Sequence, residues 1–351
     1  MLRIGIAGLA NVGKSTLFNA LTHAGVLAAN YPFATIEPNT GVVAVPDERL
    51  EVLAKMYSTE KIVPATVSFT DIAGLIAGAS KGEGLGNKFL ANIREMDAIC
   101  HVVRAFGGSD VVRVGVNEKE DISTVNTELA LADMETLEKY LPKLQRETKS
   151  GGKGAVAEYE KGMRVLEKIR AGEGLGAGEN VAGLQLLTSK PVIYMFNVDE
   201  KGLADGEEQA RLAKMVAPEK AVFVNAKLES EMTGMTREER REFLASYGAS
   251  EDGLGQLVRA AYETLGLQSF LTAGEKEVRA WTVRRGATAP EAAGVIHTDF
   301  ERGFVAAAVC KYEDLVRLGS EKAVREAGLM RTEGKGYVVA EGDVVEFRVG
   351  L

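Results

Sequence analysis

The feature that most constrains this chain lies at its start, in Leu2-Arg-Ile-Gly-Ile-Ala-Gly-Leu-Ala-Asn-Val-Gly-Lys-Ser-Thr16. Leu2, Ile4 and Ile6 alternate into Ala7 as a short strand, and Gly8 opens a glycine-bounded loop. Ser15 to Leu21 then has the composition of a helix with small hydroxyls in its first turn. Strand, loop and helix in that order are the context that Gly8-x-x-x-x-Gly13-Lys14-Ser15 requires. Glycines there let backbone N–H groups wrap a polyphosphate at a helix N-terminus, where unpaired amides and the helix dipole favour negative charge. Lys14 is expected to reach the β- and γ-phosphates and Ser15 to hold Mg²⁺.

The rest of the composition narrows the class. At 351 residues, 46% apolar and 26% charged, the chain has the material for two or three globular domains. No basic stretch leads into an apolar leader, and no run of 18 apolar residues occurs, so a cytosolic protein with no membrane partner is expected. Cys100 and Cys310 are too few and too far apart for a disulfide framework or a metal knuckle, and are expected as small buried side chains. A net charge of −8 argues against a general nucleic-acid coat but leaves room for a local basic patch.

Beyond the first helix, buried-strand composition recurs at Gly41–Val45, Ala65–Thr70, Ala98–Val103, Pro191–Phe196 and Ala221–Val224, with helical segments between. That alternation predicts an α/β fold of the P-loop NTPase kind, a mostly parallel sheet flanked by helices. From Asp121 the apolar positions Ile122, Val125, Leu129, Ala132, Leu137, Tyr140 and Leu144 follow helical spacing, and Ala155–Ile169 repeats it after Ser150-Gly-Gly152. An inserted antiparallel helical hairpin over 121–187 is expected, dividing a nucleotide domain of 1–120 and 188–267. Past Gln268, short strands and a helix over 289–297 read as a small α+β domain, 268–351.

Three further stretches bear on chemistry. Asp71-Ile-Ala-Gly74 at a strand end offers a carboxylate to Mg²⁺, directly or through water, and a backbone N–H at Gly74 for a γ-phosphate. Thr35, in a proline-bracketed loop, is the candidate switch threonine on Mg²⁺. Leu75 stands where Ras-like enzymes carry the glutamine that orients attacking water, so turnover is expected to be slow unless another group, a partner or a monovalent cation helps. Asn11 is the candidate ligand for such a cation, K⁺. The third stretch is Asn197-Val198-Asp199-Glu200, where guanine-binding relatives of this architecture use Asn-Lys-x-Asp. Val198 replaces the lysine, and Glu200 is one methylene too long for the two-pronged guanine contact. Adenine suits an amide such as Asn197 with backbone groups, so ATP is expected over GTP.

Of the remaining candidates, His23, His101 and His297 read as structural, and Trp281 as core rather than a stacking platform. Between Leu141 and Arg170 eight Lys or Arg face four Glu, which makes the hairpin tip the expected rRNA contact.

With these residues in hand, the chain resembles the YchF family, the Obg-like ATPases of the translation-factor class of P-loop proteins. GLANVGKSTLFNALT, YPFATIEPNTGVV, DIAGLIAGASKGEGLGNKFL, NTELALADMETLEK, NVDE and KEVRAWTVRRGATAPEAAGVIHTDFERGF carry the resemblance, which spans the whole chain. It implies ATP hydrolysis, a C-terminal ubiquitin-like TGS domain with tRNA or other RNA as a further partner, and association with the ribosome, through large-subunit rRNA and proteins, in translation and stress regulation. By position it implies Asn11, Val12, Gly13, Lys14, Ser15 and Thr16 on the phosphates, Ser15 and Thr35 on Mg²⁺, and Asn197 with Val198 framing adenine. Many relatives carry a histidine, proposed to act in hydrolysis, where this chain has Arg113. An arginine can stabilise transition-state charge but is no general base at neutral pH, so that role stays open. Two other readings remain at this stage, an Obg-type GTPase and a ribosome-binding scaffold with incidental turnover.

Overall fold

The computed structural model describes residues 2–24, 39–72, 85–107, 116–150, 154–176, 179–181, 183–249 and 252–350. Thr35, Gly74, Leu75 and Arg113 lie outside the described residues. The chain divides into two compact units, one of residues 1–42 and 68–261 and the other of 43–67 and 262–351.

In the first unit, strand β1 (Arg3–Ala7) leads through the glycine loop into helix α1 (Lys14–Ala24). Leu17 and Leu21, one helical turn apart, are fully buried and fix which face of α1 meets the sheet. The described sheet comprises β1, β2 (Thr40–Ala44), β4 (Thr66–Asp71), β5 (Ala98–Ala105), β6 (Val192–Val198) and β7 (Lys220–Val224), in the order β2-β4-β1-β5-β6-β7. All pairings from β4 to β7 are parallel, and the largely buried residues of β1, β5 and β6 suit a sheet covered on both faces. Their C-terminal ends, Ala7, Asp71, Ala105, Val198 and Val224, therefore share one edge. The chain leaves β1 toward β4 on one side and β5 on the other, which opens a crevice at that edge beside α1.

Helices α3 (Leu85–Arg94), α6 (Glu200–Ala204), α7 (Gly206–Val216), α8 (Ala226–Glu231), α9 (Arg237–Ser246) and α10 (Gly253–Thr264) complete this layer. Between β5 and β6 the expected hairpin is present as α4 (Glu118–Lys149) and α5 (Ala155–Arg170). Asn117 caps α4 by accepting from Glu120 N at 3.0 Å, with Glu118, Glu120 and Asp121 in the first turn and Arg146 and Lys149 in the last, matching the helix dipole at both ends. Leu137, Leu141 and Leu144 pack against Val165, Leu166 and Ile169, and the helices approach closely because Gly162 faces Leu141, where a Cβ would lie 2.8 Å from a methyl. Buried Asp133 ties α4 to the return segment by accepting from Leu187 N, Thr188 N and Thr188 Oγ1 at 2.8–2.9 Å.

The second unit holds a mixed sheet in the order β11-β10-β12-β8-β9-β3, made from β3 (Ile62–Val63), β8 (Leu267–Ala273), β9 (Val278–Arg284), β10 (Phe304–Lys311), β11 (Arg331–Glu333) and β12 (Asp343–Val349). Helices α2 (Arg49–Met56), α11 (Ala289–Ile296), α12 (Thr298–Arg302), α13 (Tyr312–Leu318) and α14 (Glu321–Glu326) belong with it. Phe270, Val283, Ala293, Phe304, Val309 and Val345 form its core. Trp281 packs on that core, donates from Nε1 to Thr272 at 2.9 Å and carries the Arg279 guanidinium on its ring at 3.9 Å.

This division corrects the sequence reading, which ran the nucleotide domain unbroken from 1 to 120. Residues 43–67 cluster with the C-terminal unit because Ile62 and Val63 extend its sheet beside β9, the Arg49 guanidinium bridges Asp47 and Glu341, and Tyr57 donates to Glu321 at 2.7 Å. Both cysteines are buried. Among the described residues no helix is long and apolar enough to cross a membrane.

Candidate nucleotide site

The loop after β1 is built around three backbone positions that restrict the side chain. Gly8 has φ +151, and a Cβ there would lie 2.4 Å from the Val102 carbonyl. Gly13 has φ +100, and a Cβ would lie 2.3 Å from Asn197 Nδ2. Asn11 is exposed in the left-handed region at φ 61, where asparagine is tolerated better than most residues. These conformations turn the chain so that the first amides of α1 face the crevice.

Lys14 begins α1 and is 8% exposed, its ammonium held at 2.6 Å by the Leu9 carbonyl. Burial lowers its pKa to about 8, and the nearby Asp71 carboxylate opposes that shift. Ser15 Oγ donates to Asp71 Oδ2 at 3.2 Å. The other carboxylate oxygen, Asp71 Oδ1, is buried with no hydrogen-bond partner among the described residues. Burial raises the Asp71 pKa, and the Ser15 hydroxyl and Lys14 pull it back. A buried carboxylate oxygen without a donor, next to a hydroxyl, is the electrostatic signature of a place for a cation. Among the described residues no three His, Cys, Asp or Glu gather as a metal cluster. The donor set here is one hydroxyl and one carboxylate, which suits Mg²⁺ with phosphate and water oxygens completing its shell.

On the far side of the loop, Asn197 does something sequence reading did not anticipate. It lies inside β6 rather than after it, 6% exposed, and its amide is a tie. Nδ2 donates to the Val12 carbonyl at 3.0 Å, and Oδ1 accepts from Ala226 N at 3.1 Å. The carbonyl oxygen of this amide is thus engaged by the protein, and one Nδ2 hydrogen serves the loop. Val198 is buried in the packing around Phe196, Leu212 and Val216. Asp199 caps α6, accepting from Gly202 N at 3.0 Å, while Glu200 is exposed at the first turn of that helix. Thr16 is exposed beside Ser15. The candidate base-side wall is Asn197, Glu200 and the turn after β7, where Asn225 Oδ1 accepts from Lys227 N and Leu228 N at 3.0–3.1 Å. Asn225-Ala-Lys227 directly after a strand was the available signal for that turn.

Beneath the loop, fully buried His101 pairs with Ala7 across the β1–β5 ladder and packs its ring 5.3 Å from Tyr194. Burial, helped by the Lys14 charge, lowers its pKa to about 3, so it is neutral at physiological pH. His23 sits in the last turn of α1, and His297 caps α12 by accepting from Asp299 N, both structural placements as expected. Of the residues named from sequence, the structure brings Asn11, Val12, Gly13, Lys14, Ser15, Thr16, Asp71 and Asn197 together at one crevice.

A family profile described as 50S ribosome-binding GTPase matches residues 3–143, and the YchF-GTPase C-terminal profile, described as a protein of unknown function (DUF933), matches 267–350. Among curated proteins the chain is 52% identical to the "Ribosome-binding ATPase YchF" of Haemophilus influenzae over 99% of both sequences. It is 50% identical to the protein of the same name in Bacillus subtilis over 100% of both. Its structure is similar to that titled "Structure of the Schizosaccharomyces pombe YchF GTPase", with a TM-score of 0.87 and 37% identity, over 99% of this chain and 97% of that one.

Proposed function

The chain belongs to the YchF family, and on that premise we propose that it is a cytosolic Mg²⁺-dependent ATPase that takes ATP in preference to GTP and acts on the ribosome as a nucleotide-gated regulatory factor in translation and stress response. The observation that carries this reading is the convergence of Lys14, Ser15 and the unpartnered Asp71 Oδ1 at the mouth of α1. When bound, Mg²⁺ neutralises charge on the β- and γ-phosphates; Ser15 holds it, with Asp71 directly or through a water. The Lys14 ammonium and the amides from Asn11 to Thr16 stabilise charge that grows on the transferred phosphoryl group, and water is the acceptor. Thr35 and Gly74 are the proposed contacts through which a triphosphate orders the switch segments. Asn11 is the proposed K⁺ ligand; equal turnover in potassium and sodium buffers would remove it from that role. Arg113 is a proposed source of charge for the transition state.

The printed names of relatives say ATPase in bacteria and GTPase in yeast, so base choice is argued from this chain. A guanine clamp needs a carboxylate at fixed reach on N1–H and the exocyclic amine. Here Asp199 is consumed in capping α6 and Glu200 adds a methylene. Parallel calorimetric titration with ATP and GTP, with and without Mg²⁺, tests the proposal; tighter GTP binding overturns it. The ribosomal role is tested by co-sedimentation with ribosomal subunits. Wild type is expected to bind in a nucleotide-dependent manner, through large-subunit rRNA and proteins, and Lys14→Ala to lose that dependence. Binding of RNA, tRNA included, by the C-terminal unit is a further part of the proposal.

A further inference from the structure

The base-side wall is held from behind by a residue that the mechanism above does not use. Ala226 N, which fixes the Asn197 side chain, opens α8, and α8 is pinned at its other end by Glu229. Glu229 is 3% exposed; its Oε1 accepts from Gly253 N at 2.9 Å, and its Oε2 is buried with no hydrogen-bond partner among the described residues. Gly253 begins α10 and sits so close that a Cβ would lie 3.0 Å from Oε1. Val12, Asn197, Ala226, Glu229 and Gly253 thus form one chain of contacts running from the phosphate loop to α10.

We propose that Glu229 is a positioning residue for nucleotide binding, which clamps α8 to α10 and so holds Ala226 and Asn197 in place at the base-side wall. The inference rests on the nucleotide site proposed above. The charged and titratable groups around Glu229 are Asp252 from the segment before α10, Arg240 from α9, and Lys227 and Glu231 on α8 itself, the last two pointing to solvent. Burial and then repulsion from Asp252 raise the Glu229 pKa; the Gly253 amide and Arg240 oppose this. Arg240 also lies 3.6 Å from Asp252, so its charge is shared between the two carboxyl groups. Loss of the Glu229 proton above neutrality sets two carboxylates against each other in a buried space, and the clamp loosens. A loosened α8 acts first on the base-side turn that Ala226 opens, and reaches the loop amides only through Asn197, so the base side is affected more than the phosphate grip.

The test is a pH series from 6.5 to 9.5 on the full chain, measuring the affinities for Mg-ATP and for Mg-tripolyphosphate in wild type and in Glu229→Gln. Lys14 titrates in the same range, but it acts on both ligands and cancels in their ratio. In wild type the preference for ATP over tripolyphosphate is expected to fall about threefold or more between pH 7 and 9. In Glu229→Gln, which keeps the acceptor for Gly253 N and cannot ionise, the preference stays level. Glu229→Ala is expected to lower ATP affinity at pH 7 with tripolyphosphate affinity retained. The same pH dependence of the ratio in Glu229→Gln as in wild type, or equal losses for both ligands in Glu229→Ala, overturns the inference while leaving the nucleotide site intact. A wild-type chain that binds neither ligand overturns both.

Discussion

Asn197 Nδ2 donates to the carbonyl of Val12 at 3.0 Å, joining the end of the fifth strand of the nucleotide sheet to the loop after the first, across 185 positions of sequence. Both partners are buried, and the oxygen of the same amide takes the Ala226 N–H. One side chain therefore sets the distance between the phosphate loop and the base-side turn.

Replacing Asn197 by Ala removes both bonds and leaves a carbonyl and an N–H buried without partners. Each such orphan costs about 1–3 kcal/mol. A clear fall in Tm is expected, with at least a tenfold loss of ATP affinity because the two halves of the site are no longer registered. Thermal melts and calorimetry check both. Loss of affinity at unchanged Tm would mean that the amide serves the base and not the frame.

Gly13→Ala tests the same junction from the other side. The substitution puts a Cβ 2.3 Å from Asn197 Nδ2 at a φ of +100, which L side chains rarely adopt, so backbone strain and the clash act together. Nucleotide affinity is expected to fall at least a hundredfold. Asn197→Ala/Gly13→Ala should recover only the part due to the clash, and comparison of the double with the two singles separates the terms.

His101 gives the fold an acid-sensitive element. Its ordinary pKa of about 6.5 falls to about 3 in the native chain, so between those values the unfolded chain binds the proton that the native chain refuses. The stability from keeping this ring neutral is present above pH 6.5 and is lost as pH falls toward 3. His101→Phe keeps a ring against Tyr194 and removes the titration. Melts from pH 7 to 4 should show the Tm of the variant falling less steeply than that of wild type, and parallel curves would assign the acid sensitivity elsewhere.

What could be read in advance follows from how buried parallel strands are written. Ile4 and Ile6, the run from Ala98 to Val103, broken only by His101, and the run from Val192 to Phe196 are short, mostly apolar stretches of the kind that a sheet covered on both faces buries, and Gly8, Gly13 and Lys14 declared the loop. Residues 43–67 were misplaced for a physical reason. Periodicity reports that Leu50, Leu53 and Ala54 bury one face of a helix, but not which sheet they bury it against, and that is decided by Ile62 and Val63 beside β9. The bonds of Asn197 to Val12 and Ala226 could not be read in advance, because an amide that holds a loop and an amide that reads a base have the same sequence. Glu229 was invisible, since in sequence it is one carboxylate in an exposed-looking Lys-Leu-Glu-Ser-Glu run, and its burial arises from Gly253 closing over it.

The helical hairpin supplies the last prediction. Among its basic residues Arg170 pairs with Glu138 and Lys168 with Glu179, each at 2.7 Å, whereas Lys143, Arg146, Lys149 and Arg164 have no acidic partner among the described residues. Paired charges are largely spent within the protein, whereas unpaired ones remain able to displace counterions from a phosphate backbone. If ribosomal RNA is the partner of this face, replacing the four unpaired residues by Gln should weaken ribosome binding and flatten its salt dependence by about one unit of log–log slope per lost phosphate contact. Replacing Lys168 and Arg170 should change that slope little. A salt dependence untouched by the fourfold substitution would move the ribosomal contact to another surface, with the hairpin charges left as solvated helix faces.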